Sequence, residues 1–107
     1  MKAKPVKLVY GDGYHECPIE EATHLTLNIP GPTGVLTLPV ITKGSRRDAN
    51  AWTWNGSIEA PTLKPSVLTR NNEFRCHSWI TEGKVQFLND SEHDFAGKIV
   101  DLLDIEP

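Results

Sequence analysis

Apolar and polar residues alternate along this chain over short spans, and a turn signal closes nearly every span. Thr23–Ile29 sets Leu25, Leu27 and Ile29 against Thr26 and Asn28, which predicts a strand with one face buried. Val6–Tyr10 predicts another strand, closed by Gly11-Asp12-Gly13. Pro30-Gly31-Pro32-Thr33-Gly34 is a turn, and Val35–Ile41 is the strand after it, with Pro39 pushing it to a sheet edge or ending it early. Lys43–Asn50 is a polar loop, Ala51–Trp54 a short aromatic strand, and Asn55-Gly56 a turn. Pro61 and Pro65 keep Thr62-Leu63-Lys64 extended, Ser66–Thr69 predicts a strand, and Arg70–Glu73 a loop. Only Glu92–Ala96 and the tail after Lys98 have room for a helical turn. The expected fold is mainly β. It is a compact single domain over residues 1–107, a sheet or open barrel of short strands with little helix.

The clearest hairpin joins Arg75–Thr81 to Lys84–Leu88 through Glu82-Gly83. Side chains on a strand point alternately to opposite faces. A two-residue turn therefore sets Ile80 opposite Val85 and Ser78 opposite Phe87, with Cys76 on that apolar face. His77 falls on the other face, with Trp79, Gln86 and Leu88. Cys76 and His77 are thereby kept from binding one ion together, and Cys76 is expected to be buried. The tryptophans Trp52, Trp54 and Trp79 are expected mostly in the core.

Composition narrows the function classes. The formal net charge is -3 over 107 residues, which argues against nucleic-acid binding by bulk charge. Arg46-Arg47 reads as a solvated pair in a loop rather than a phosphate clamp. No apolar run is long enough for a membrane helix, and no apolar segment follows the lysines at positions 2 and 4, so no signal peptide is expected. The expected setting is reducing cytoplasm, bacterial or in a phage-infected host. Cys17 and Cys76 should then be free thiols or a metal ligand rather than a disulfide.

Candidate chemistry rests on the histidines and on Cys17. Pro18 after Cys17 bends the chain like a metal-binding knuckle. The polar turn Asn89-Asp90-Ser91-Glu92 allows the chain to fold back and bring His93 near His77. One thiolate and two imidazoles make three zinc ligands, leaving a fourth place for water. His15 sits in a predicted loop and His24 opens a strand; surface or hydrogen-bonded roles suit both. No CxxC pair and no HExxH motif accompanies them, so spacing alone is a weak signal.

Two stretches are more distinctive than their composition. One runs from Trp52-Thr53-Trp54-Asn55-Gly56 through Glu59-Ala60-Pro61-Thr62 to Pro65-Ser66-Val67. The other runs from Cys76-His77-Ser78-Trp79 through His93 to Val100-Asp101-Leu102. Together they resemble a small family common in tailed-phage and prophage genomes. That family is similar to the CEHH group of predicted metallohydrolases, named for a Cys, a Glu and two His. Relatives of the group sit in bacterial operons for ubiquitin-like conjugation, with a proposed peptidase role. The resemblance implies metal ligation by Cys17, His77 and His93, with His24 as a possible additional ligand. It implies Glu59 as the catalytic acid–base. The family's second knuckle cysteine is replaced here by Glu20.

The resemblance thus implies a zinc-dependent hydrolase of the peptidase or isopeptidase type. Its partner would be a protein or peptide substrate, including a ubiquitin-like conjugate. Zinc would lower the pKa of a bound water and Glu59 would relay its proton. Two other readings stay open. One is a non-enzymatic binding module with a structural zinc closed by His24 or Cys76; the other is an accessory protein without metal.

Overall fold

The computed structural model describes residues 1–31, 33–41, 51–70 and 75–105. Nine strands form one curled half-barrel sheet: β1 (Ala3–Val9), β2 (Gly13–Glu16), β3 (His24–Ile29), β4 (Gly34–Ile41), β5 (Trp52–Trp54), β6 (Leu63–Arg70), β7 (Arg75–Thr81), β8 (Lys84–Phe87) and β9 (Ile99–Asp101). Across the sheet the order is β2-β1-β3-β4-β5-β6-β7-β8-β9. β4 and β5 run parallel, and the other neighbours antiparallel. The mainly-β expectation holds. The helical content among the described residues is a single 3-10 turn, Ile19–Glu21.

Alternation explains the curl. Leu25, Leu27 and Ile29 of β3 point inward with Leu38 and Val40 of β4, Leu63 and Val67 of β6, Cys76 and Ile80 of β7, and Val85 and Phe87 of β8. A sheet with one apolar face buries it most fully by wrapping around it. The segment after β9 then crosses back. Leu103 N–H donates to the Asn28 carbonyl at 3.0 Å, and Leu102 fills the core. Ala3 N–H donates to the Ile58 carbonyl, tying the first strand to the loop before β6.

Several predicted elements shift. β1 begins at Ala3 rather than Val6. β2 forms where a loop was expected around His15, because an outermost strand exposed on both faces has no need of apolar alternation. Pro39 lies within β4 and does not end it. Val40 N–H faces β3, donating to the Thr23 carbonyl, so the Pro39 nitrogen turns to the other side, where β5 starts only opposite Val40. The tail after Lys98 is strand β9, and residues 92–96 form bends and turns instead of a helix. Trp52 and Trp54 pack against the core, but Trp79 stands on the outer face, 38% exposed. The predicted loops at Lys43–Asn50, with Arg46-Arg47, and at 71–73 lie outside the described residues.

The β7–β8 hairpin matches its expected register. Ile80 pairs with Val85 and Ser78 with Phe87, and Cys76 is buried at 2% exposure. The turn needs two left-handed residues, supplied by Glu82 at φ 49° and Gly83 at φ 78°. Both cysteines are free thiols.

Candidate active site

His77 occupies the outward face of β7, opposite Leu68 of β6. Its side chain is 26% exposed. Two partners fix the ring. His77 Nδ1 lies 3.1 Å from Asp90 Oδ2, and His77 Nε2 lies 2.9 Å from Ser66 Oγ. A carboxylate only accepts, so Nδ1 carries the ring proton and donates it to Asp90. Nε2 is then a bare acceptor, and the Ser66 hydroxyl donates to it. The three side chains form a hydroxyl–imidazole–carboxylate relay with each member in hydrogen-bond reach of the next.

Each member is placed by a local feature of the sheet. Ser66 rides an irregularity in β6. Leu63 opposes Ile80 and Val67 opposes Ser78, so four steps along β6 (63 to 67) face two along β7 (80 to 78). The surplus bends Lys64–Ser66 away from the regular ladder, the way bulges re-aim side chains. Pro65, with no N–H to contribute, sits at its centre. Thr53 Oγ1 donates to the Lys64 carbonyl at 3.2 Å, and the Trp52 indole donates to the Ser66 carbonyl at 3.3 Å. β5 thus holds the segment from the edge of β6 opposite β7. Asp90 comes from the turn after β8, and the Arg75 Nε donates to its carbonyl at 3.2 Å. The exposed apolar side chains Leu68 and Trp79 share the outer face with Ser66 and His77.

The residues expected to bind zinc are placed differently. The chain does fold back after the hairpin, but it delivers Asp90 to His77 and not His93. His93 packs edge-on against Phe87, a core residue, with ring centroids 5.0 Å apart. Its Nδ1 accepts from the Phe95 N–H at 3.2 Å, and its Nε2 is buried. Cys17 follows β2 and lines a hollow of about 400 Å³ with Met1, Pro5, Ile19 and Ile58 among others. Burial pushes the Cys17 thiol up, and the charges of Glu21 and Glu16 add to this against Lys7. His24 stacks edge-on with Tyr14 and shares a hydrogen bond with Thr23 Oγ1 at 2.9 Å. Glu59 is exposed, beside the Glu82-Gly83 turn. That turn lies about six residues along β7 from His77, or roughly 20 Å at the rise of a strand. Among the described residues no three His, Cys, Asp or Glu side chains come together to hold a metal. Cys17, His77 and His93 are therefore not brought together among the described residues.

Residues 7–88, more than half of the chain, match the model of a family described as the bacterial ubiquitination-like system serine protease, BubE. The chain belongs to the BubE family. No match was found among curated proteins or among solved structures. The matched stretch contains Ser66 and His77, and Asp90 follows just after it. The BubE description agrees with the expected link to bacterial ubiquitin-like systems and with a peptidase-type hydrolase acting on protein. It names serine chemistry, where the sequence resemblance implied a metallohydrolase. No helix among the described residues is long and apolar enough to cross a membrane.

Proposed function

We propose that the chain is a serine hydrolase that cleaves a peptide or isopeptide bond, with Ser66 as nucleophile, His77 as general base and Asp90 as the residue that orients His77. The observation that carries this reading is the pair of hydrogen bonds at the two nitrogens of one imidazole. Ser66 Oγ attacks the substrate carbonyl as its proton passes to His77 Nε2. The imidazolium is stabilised by the Asp90 carboxylate and returns the proton to the leaving amine as the tetrahedral intermediate collapses. The acyl group is left as an ester on Ser66. Water then attacks that ester with His77 again as base, releasing the acid and restoring the hydroxyl. The family description supports a protein substrate, and a ubiquitin-like conjugate is the substrate this reading assigns.

The direct test uses a fluorophosphonate ester, from which a reactive serine displaces fluoride, with the labelled peptide located by mass spectrometry. Label should appear on Ser66. Ser66→Ala should remove it and lower turnover of p-nitrophenyl acetate by on the order of 10⁴-fold or more. Prior treatment with a chelator should leave labelling and turnover unchanged. Turnover that survives Ser66→Ala but is lost with the chelator would return the chain to the zinc-hydrolase reading, with His77 as a ligand.

A further inference from the structure

Ser91 is one of two buried polar side chains among the described residues, 7% exposed. Its hydroxyl bonds to the main chain of the relay's histidine. It accepts from the His77 N–H at 3.0 Å and donates to the His77 carbonyl at 2.9 Å. One hydroxyl thus pairs with both main-chain groups of one residue, as a neighbouring strand residue would.

The surroundings show what that pairing holds. β8 ends at Phe87, and Leu88 N–H donates to the His77 carbonyl at 2.8 Å as the last rung of the ladder. Ser91 N–H donates to the Leu88 carbonyl at 3.0 Å, closing a four-residue turn with Asp90 in its third position. Glu92 N–H then donates to the Arg75 carbonyl at 2.7 Å. The turn carrying Asp90 is therefore anchored at His77 on both sides, and Ser91 supplies two of the anchors.

We propose that Ser91 is a positioning residue for the Ser66–His77–Asp90 relay, its hydroxyl setting the distance between the Asp90 carboxylate and His77 Nδ1. The proposal rests on the serine-hydrolase reading above. Without the hydroxyl, the His77 N–H loses its partner and the turn is free to shift on β7. Misplacement of catalytic groups by about 1 Å can cost on the order of 10²-fold in rate.

The test measures fluorophosphonate labelling rates and p-nitrophenyl acetate kinetics on the full chain, with folding checked by thermal unfolding. Ser91→Ala should slow labelling and lower kcat by on the order of 10²-fold, with KM little changed. Ser91→Cys, close in size but a weak donor, should fall between Ala and the wild type. In an Asp90→Asn background, Ser91→Ala should have far less effect, because the group it positions is already gone. A folded Ser91→Ala protein labelled at the wild-type rate overturns the proposal, as does an effect that adds in full to Asp90→Asn. If the Ala variant does not fold, Ser91→Cys decides, and a wild-type rate there overturns it. A wild-type chain not labelled at Ser66 fails the serine-hydrolase reading itself, and this proposal with it.

Discussion

At the residue scale, the state of His77 follows from its partners. Asp90 accepts at Nδ1, which leaves Nε2 free to take the Ser66 proton. Asp90→Asn would keep the shape and remove that constraint, since an amide can donate to Nδ1 and drive the ring proton to Nε2. Esterase turnover is expected to fall by about 10³- to 10⁴-fold. Stability should change by less than about 1 kcal/mol, because the Asp90 side chain is 47% exposed and its hydrogen bond to His77 is open to water. Steady-state kinetics beside urea unfolding checks both halves; a large stability loss with intact turnover would place Asp90 in a structural role. His77 was legible in the sequence as a polar residue on the outer face of a hairpin. Asp90 and Ser66 were not singled out. Asp90 sat in a run that read as a solvated turn, and no glycine-flanked serine motif marked Ser66. A usable signal did exist. A loop from Arg70 to Glu73 between antiparallel strands puts Ser66 and His77 on one face, and the observed register, with Arg70 opposite Arg75 and Leu68 opposite His77, keeps that parity.

At the level of elements, the hairpin and the strand before it divide the work. β7 and β8 were legible down to register, because alternation and a two-residue turn together leave one pairing. β6 was legible only as two extended pieces around Pro65, since an irregular ladder has no periodic signature. That irregularity carries the proposed nucleophile, so the least readable element is the one that bears on the proposed chemistry. The hairpin's far end should be separable from the site. A Cβ on Gly83 would lie 3.3 Å from the Ala60 Cα and the Glu59 carbonyl oxygen, at φ +78°. Gly83→Ala is expected to cost about 1–2 kcal/mol, the penalty of a left-handed conformation for a residue with a side chain. Urea unfolding should show that loss while fluorophosphonate labelling of the folded fraction stays at the wild-type rate. Slower labelling without loss of stability would mean the turn communicates with the relay.

For the whole molecule, the apolar face was legible and the closure was not. The inward positions of β3, β7 and β8 follow from alternation. The return of the chain past Asn28 depends on long-range pairing that no local pattern encodes. Two partly buried titratable groups, His24 and Cys17, lie on the β1–β3 side of the sheet. Burial lowers the His24 pKa from its ordinary 6.5, so the folded protein resists protonating it while the unfolded chain does not. Between the ordinary and the lowered value the unfolded state binds more protons, and stability falls as pH drops through that window. Burial, followed by the charge of Glu21, raises the Cys17 pKa from 9.0, so the unfolded chain ionises first as pH rises. From 9.0 upward stability is lost again. Urea midpoints should therefore peak on a plateau between about pH 6.5 and 9 and fall on both sides. Each limb has its own control. Cys17→Ser should flatten the alkaline limb without moving the acid one, and His24→Gln should do the reverse. An alkaline limb unchanged in Cys17→Ser would show that the thiol is not the group responsible.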